Sequence, residues 1–151
     1  MFLDYAAGMA HRVHTGHLLQ RPARHFEVLL IGRLHASGHT DLTVAHTSVF
    51  SVIDLEGTAI GVLARRAGVT KQAMSQLVDD LVSKGYVERR EDPHDRRSRL
   101  VVLTEKALAL NPLSSRYIAE IEDGYRAALG SEGFDTLREL LEKIQPPQGA
   151  Q

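Results

Sequence analysis

The chain has 151 residues, enough for one hydrophobic core of ordinary size and too few for two independent ones. With 43% hydrophobic and 25% charged residues, and no apolar run near the roughly 18 residues of a membrane span, it reads as a soluble globular protein. Zero cysteines exclude disulfides, thiolate metal sites and thiol redox chemistry, and an N-terminus interrupted by Asp4, His11, Arg12, His14 and His17 lacks a signal-peptide core, so the expected compartment is the cytoplasm.

The net charge of −1 is unevenly spread: residues 1–60 carry −1, residues 61–99 carry +3 from nine basic and six acidic side chains, and residues 100–151 carry −3. A basic middle third is the local footprint expected of a surface that meets phosphate.

In chain order, a first helix is expected over residues 3–20, its apolar stripe made of Leu3, Ala6, Ala7, Ala10, Val13 and Leu18. Gly8 and Gly16 each weaken it by ~1 kcal/mol relative to alanine. Pro22 fits the first turn of a second helix, which Phe26, Leu29, Leu30, Arg33 and Leu34 continue to Ser37-Gly38. A third helix is expected from Thr43 to Asp54, with Val44, Thr47, Phe50 and Val52-Ile53 turned inward and Glu56-Gly57 breaking it.

The central unit runs from Gly57 to Thr104. Thr58 is the expected N-cap of a helix bearing Ile60, Leu63, Ala64 and Ala67 on one face, and Gly68 sits where a left-handed C-terminal cap belongs. Thr70 is the next N-cap, opening a helix whose inward face is Met74, Leu77, Val78 and Leu81 and which ends at Lys84-Gly85. Two short helices joined by a glycine turn make a helix-turn-helix. Lys71, Gln72, Ser75 and Gln76 gather hydrogen-bond donors at the N-terminal end of the second helix, the end that reaches base edges in this motif. Asp79 and Asp80, a turn later, are expected to repel phosphate. A solvated helix face is the plainer reading of the same residues.

The segment that follows decides between them. Tyr86-Val87 and Leu100-Val101-Val102-Leu103 bracket a charged tip, EDPHDRRS, with Arg89-Arg90 and Arg99 at its base. A hairpin arm of ~5 residues spans roughly 17 Å, enough to carry arginines from a major groove to the flanking minor groove.

The stretch LARRAGVTKQAMSQLVDDLVSKGYVERREDPHDRRSRLVVLT, and above all DPHDRRSRLVVLT, resembles the MarR-type (multiple antibiotic resistance regulator) transcriptional regulators. The resemblance implies a mostly α fold with a small β-wing. Residues 43–104 would form a winged helix-turn-helix, and residues 1–42 and 105–151 a helical dimerisation region of the same single domain. It implies a homodimer on a pseudo-palindromic operator in double-stranded DNA. The recognition helix, Thr70–Lys84, would lie in the major groove, with Thr70, Lys71, Gln72, Ser75 and Gln76 reading it. The wing tip, Glu91–Ser98, would enter the minor groove through Arg97, with Asp95 orienting that arginine or a neighbour and Arg90, Arg96 and Arg99 beside it. The family's regulators are often repressors released by a small effector, an aromatic acid or other lipophilic anion, bound between the dimer arms and the reader.

After the wing, Thr104 is placed to cap a long helix through Ala107, Leu110, Leu113, Ile118, Ile121, Tyr125 and Leu129. Asn111-Pro112 should kink or split it, where the family usually has an unbroken helix. Gly130 ends it, Ser131 opens a last helix with Phe134, Leu137, Leu140, Leu141 and Ile144, and Pro146-Pro147 stops that one.

Eight histidines raise a second possibility, a metal- or pH-responsive member. His11, His14 and His17 recur every third residue, and His35 and His39 are four apart, but no His-Glu-x-x-His pattern is present and Gly38 interrupts the second pair. Surface or interface histidines are the simpler account, and no metal or cofactor is expected. An enzyme is not expected either, since the chain has no glycine-rich phosphate loop, nucleophile elbow or cysteine nucleophile. A winged-helix module that binds protein rather than DNA would not call for Arg96, Arg97 and Arg99 together.

Overall fold

The computed structural model describes residues 13–95 and 97–144. The first described element is one long helix, α1 (Thr15–Ala36), capped by His14 and running through Pro22. The sequence pattern placed a boundary at Pro22. Proline deletes one backbone donor and crowds the carbonyl four residues back, yet the helix survives because its flanks are good helix formers and it packs along a later helix. That packing is anchored where Arg33 donates to the Glu120 carboxylate at 2.6 Å and to the Tyr117 carbonyl at 3.3 Å, and where the Phe26 and Tyr125 rings stack at 6.4 Å. The expected segment 3–12 lies outside the described residues.

Gly38, with φ of +96°, turns the chain out of α1. The helix expected over residues 43–54 is shorter, a turn of 3-10 helix (Val44–His46) followed by α2 (Thr47–Phe50). It stops early because the chain must bend into a strand: the Asp54 N–H donates to the Thr58 hydroxyl oxygen at 2.9 Å, and that hydroxyl donates to the Asp54 carboxylate at 3.1 Å. Val49 and His46 are the most buried residues of the segment, rather than Thr47 or Phe50.

Thr58 therefore does not cap the next helix. It lies in β1 (Thr58–Ala59), antiparallel to a wing strand with Thr58 opposite Val101, and Ala59 takes the N-cap position of α3 (Ile60–Ala67). After a left-handed Gly68 comes α4 (Lys71–Ser83), then β2 (Val87–Glu91) and β3 (Arg99–Leu103), giving a three-stranded sheet in the order β1-β3-β2. Thr104 caps only a single turn, α5 (Glu105–Leu108). The split expected at Asn111-Pro112 is present: α6 (Asn111–Leu129) opens with Pro112 in its first turn, where a missing N–H is no loss. Gly130 then leads into α7 (Ser131–Lys143).

The core is one continuous cluster. Leu63, Met74, Val78 and Leu81 from α3 and α4 meet Val49, Tyr86, Val87 and Val101, and the cluster extends through Leu42 to Ile31 and Leu34 of α1 and to Ala107 and Leu110. Tyr86 is fully buried, its hydroxyl donating to Asp41 Oδ1 at 2.8 Å. Burial and that carboxylate together push the phenol far above its ordinary range. No helix among the described residues is long and apolar enough to cross a membrane.

Candidate nucleic-acid interface

Local chemistry builds the turn between α3 and α4. Gly68, at φ +67°, adopts a conformation that costs L-residues energy, and the Val69 N–H closes back on the Ala64 carbonyl at 3.0 Å. Thr70 then accepts the Ala73 N–H at 3.1 Å, starting α4 on one of its otherwise unpaired donors. Met74, Val78 and Leu81 hold the inner face of α4 in the core. The outer face at its N-terminus therefore presents Lys71, Gln72 and Gln76 exposed and Ser75 half-buried. No acidic residue stands in that first turn, so the positive end of the helix dipole and the Lys71 ammonium act together. Among the described residues, Lys71, Gln72, Ser75 and Gln76 make no side-chain hydrogen bond within the molecule.

The two aspartates of α4 are not free to repel phosphate as the sequence pattern implied. Asp79 pairs with Arg89 at 2.7 Å. Asp80 accepts from Lys84 Nζ at 2.6 Å and from Nε2 of the buried His46 at 2.8 Å. The lysine bond first, then the histidine bond, hold the Asp80 carboxyl below the usual carboxylate range. Both contacts position the reader: Arg89 ties the wing strand β2 to α4, and His46 ties α4 to the preceding 3-10 turn. Neither was legible as functional in the sequence, since each depends on a partner distant along the chain.

The hairpin register places Glu91 opposite Arg99, and residues 92–98 form the tip. Two aspartates fold that tip through their own side chains, Asp92 Oδ1 accepting the His94 N–H at 2.8 Å and Asp95 Oδ1 accepting the Arg97 N–H at 3.0 Å. Asp95 thus orients Arg97 through its backbone. Arg90 pairs with Glu88 and Arg99 with Glu91, the latter at 3.0 Å. Arg97 is exposed and has no carboxylate partner among the described residues. Arg96 lies outside the described residues.

Among the described residues the histidines form no common site. His14 stacks on His17 at 4.1 Å at the start of α1, and His35 bonds the Leu42 carbonyl at 2.6 Å, while His39 follows the Gly38 turn and leaves the helix. His11 is outside the described residues. Among those described, no three His, Cys, Asp or Glu side chains converge as a metal site would require.

A separate cavity of about 410 Å³ lies between α1, α2 and the α5–α6 junction, with Phe26, Leu30, Phe50, Leu110 and Ile118 in its walls and Glu27 among them.

A family model described as the MarR family matches residues 40–98, a span that holds the helix-turn-helix and the first strand and tip of the wing. The HTH-type transcriptional regulator PetP of Rhodobacter capsulatus is 33% identical over 105 residues, 68% of this chain, which spans 63% of that relative's length. The multiple antibiotic resistance protein MarR of Escherichia coli is 30% identical over 70% of this chain and 75% of its own. The crystal structure of that protein in its apo form superposes with a TM-score of 0.71 at 25% identity, over 90% of this chain and 100% of the other. CouR of Rhodococcus jostii, crystallised bound to p-coumaroyl-CoA, gives the same TM-score and identity over 90% of this chain and 94% of its own. A mostly helical chain with a three-stranded wing sheet, matching in sequence and in fold, belongs to the MarR family of winged helix-turn-helix, DNA-binding transcriptional regulators.

Proposed function

We propose that the chain is an effector-responsive repressor that works in the cytoplasm as a homodimer on a pseudo-palindromic operator. Residues 43–104 form the reader, and residues 1–42 with 105–151 form the dimerisation region. In each subunit the N-terminal end of α4 enters a major groove, where Lys71, Gln72, Ser75 and Gln76 face base edges and Thr70 holds the helix start. The wing tip crosses into the flanking minor groove, where Arg97 supplies the leading charge, with Arg96 beside it and Arg90 and Arg99 nearer the backbone. Half-sites lie about one helical turn, ~34–36 Å, apart. An effector binds in the cavity beside α1 and changes the spacing of the two readers.

The observation that carries this reading is a division among the wing arginines. Arg89, Arg90 and Arg99 are spent on Asp79, Glu88 and Glu91, while Arg97 is presented with its backbone fixed and its guanidinium without a carboxylate. An arginine exposed at a hairpin tip, with its base braced onto the helix beside it, suits insertion into a groove of negative potential.

The test is a gel-shift series against salt with operator-bearing genomic fragments. Affinity should fall steeply, with a log–log slope near −0.9 for each phosphate neutralised. In the same assay Arg97→Ala should cost roughly 1–3 kcal/mol per subunit at unchanged folding, as for a charge-assisted hydrogen bond. Salt-independent binding would point to a protein partner, and wild-type affinity in the variant would remove the wing from the mechanism.

A further inference from the structure

The wall of the cavity beside α1 carries an acidic side chain, of the same sign as an anionic effector. Among the described residues Glu27 is the one ionisable residue in its wall; the remainder is apolar or neutral polar, including Thr47, Ser51 and Ser114. The Glu27 carboxylate is half-buried and receives the Thr47 hydroxyl at 3.2 Å, a weak bond because that hydroxyl lies nearer the Val44 carbonyl, at 2.7 Å. Among the described residues no lysine, arginine or histidine pairs with it. The site is a pocket of about 410 Å³, within the ~300–1,000 Å³ usual for small-ligand sites.

We propose that this cavity takes a lipophilic amine, a protonated one- or two-ring aromatic compound, in preference to a carboxylic acid. The proposal rests on the reading of the protein as an effector-responsive DNA binder and names the chemistry of its effector. A carboxylate ligand would bring a second negative charge into a largely apolar cavity beside Glu27, where the two like charges repel. An ammonium group instead replaces the weak Thr47 contact with a charge-assisted bond to a carboxylate already in place. Phe26 and Phe50 line the same space, and an aromatic face attracts a cation or the edge of another ring. The position makes the occupant consequential. One wall is α1 and another is α2, which packs against α3 and α4, so a ligand wedged there bears on the reader as well as on the N-terminal arm.

The experiment uses the full chain and three probes that share a naphthalene ring: naphthylmethylamine, naphthoate and naphthylmethanol, titrated calorimetrically near neutral pH. The amine should bind at least about tenfold more tightly than naphthoate, the scale of one charge-assisted pair. Glu27→Gln should erase that preference, and saturating amine should release wild-type protein from operator DNA. Naphthoate binding as tightly as the amine, no binding by any of the three, or a preference that persists in the variant would each overturn the inference. The wild-type comparison decides the matter even if the variant folds poorly. DNA retention without any probe is measured on the same preparation. Intact DNA binding with no amine preference sinks this inference alone, whereas absent DNA binding sinks the regulator reading itself.

Discussion

Asp80 sits on the recognition helix at a position that a helical wheel assigns to solvent, yet it joins that helix to the 3-10 turn before α2. The Thr43 N–H donates to Nδ1 of His46 at 2.9 Å, which leaves the ring proton on Nε2 to be donated to Asp80 at 2.8 Å. Lys84 closes the group from the other side, at 2.6 Å. The Asp80 carboxyl is held below the ordinary carboxylate range by Lys84 and then by His46; Asp54 is likewise lowered, first by its bond from Arg66. At Asp41 burial works to raise the carboxyl, and the bonds from Tyr86 and Lys106 outweigh it. A carboxylate whose folded value is depressed contributes stability that is complete above its unfolded value and is lost as pH falls through the folded one. The protein should therefore weaken below about pH 4. Asp80→Asn should lower the urea midpoint clearly at pH 7 and less at pH 3, below the ordinary carboxylate value, where part of that contribution is already lost. An equal loss at both pH values would mean that Asp80 acts through shape rather than charge. The same residues explain why this part of the site was hidden from the sequence: Asp80 and His46 are 34 positions apart, and only the fold brings the ring into the core beneath α4.

At the scale of elements, β1 is the part that sequence periodicity could not supply. Two residues cannot display an alternating pattern, and Thr58 followed by an apolar helical stripe reads naturally as a cap. What makes the strand is a close approach. Gly57, at φ +99°, has no room for a side chain: an added Cβ would lie 2.5 Å from Val102 Cγ1 and 3.2 Å from the Val101 carbonyl oxygen. Gly57→Ala should thus combine backbone strain with a clash against β3 and destabilise the protein by roughly 1–3 kcal/mol. Denaturant unfolding measures this, and a wild-type midpoint would mean that β1 does not brace the wing. Where the signals were local, the reading from sequence held. Gly68 and Thr70 framed α4, Met74, Val78 and Leu81 gave its inner face, and Asn111-Pro112 marked the break before α6. Where tertiary packing overrides a local signal it failed, as at Pro22, which α1 absorbs while lying along α6. The wing itself was legible from its charge pattern. Which of its described arginines lacks a carboxylate was not, because that depends on carboxylates along and across the hairpin and on α4.

At the scale of the whole molecule, the outer helices expose more apolar surface than a lone subunit needs. Leu18 and Val28 on α1 and Leu137 and Leu140 on α7 are exposed, at 58%, 47%, 39% and 54% respectively. A single exposed leucine is ordinary, but apolar positions recurring on helices at both ends of the chain fit a face covered by a second copy. The proposed mechanism needs that copy, because one reader engages one half-site, and specificity arises when the second engagement becomes intramolecular. Leu137→Glu with Leu140→Glu places two carboxylates on one stripe of α7 without touching the buried Phe134. The double variant should keep its helical circular dichroism, run at half the wild-type mass by light scattering, and lose at least about 100-fold in operator affinity. Its residual binding should be the salt-sensitive, sequence-indifferent kind that phosphate contacts alone provide. An unchanged mass would remove α7 from the interface. A monomer that still bound the operator like wild type would mean that one reader suffices, and the symmetric arrangement would have to be given up.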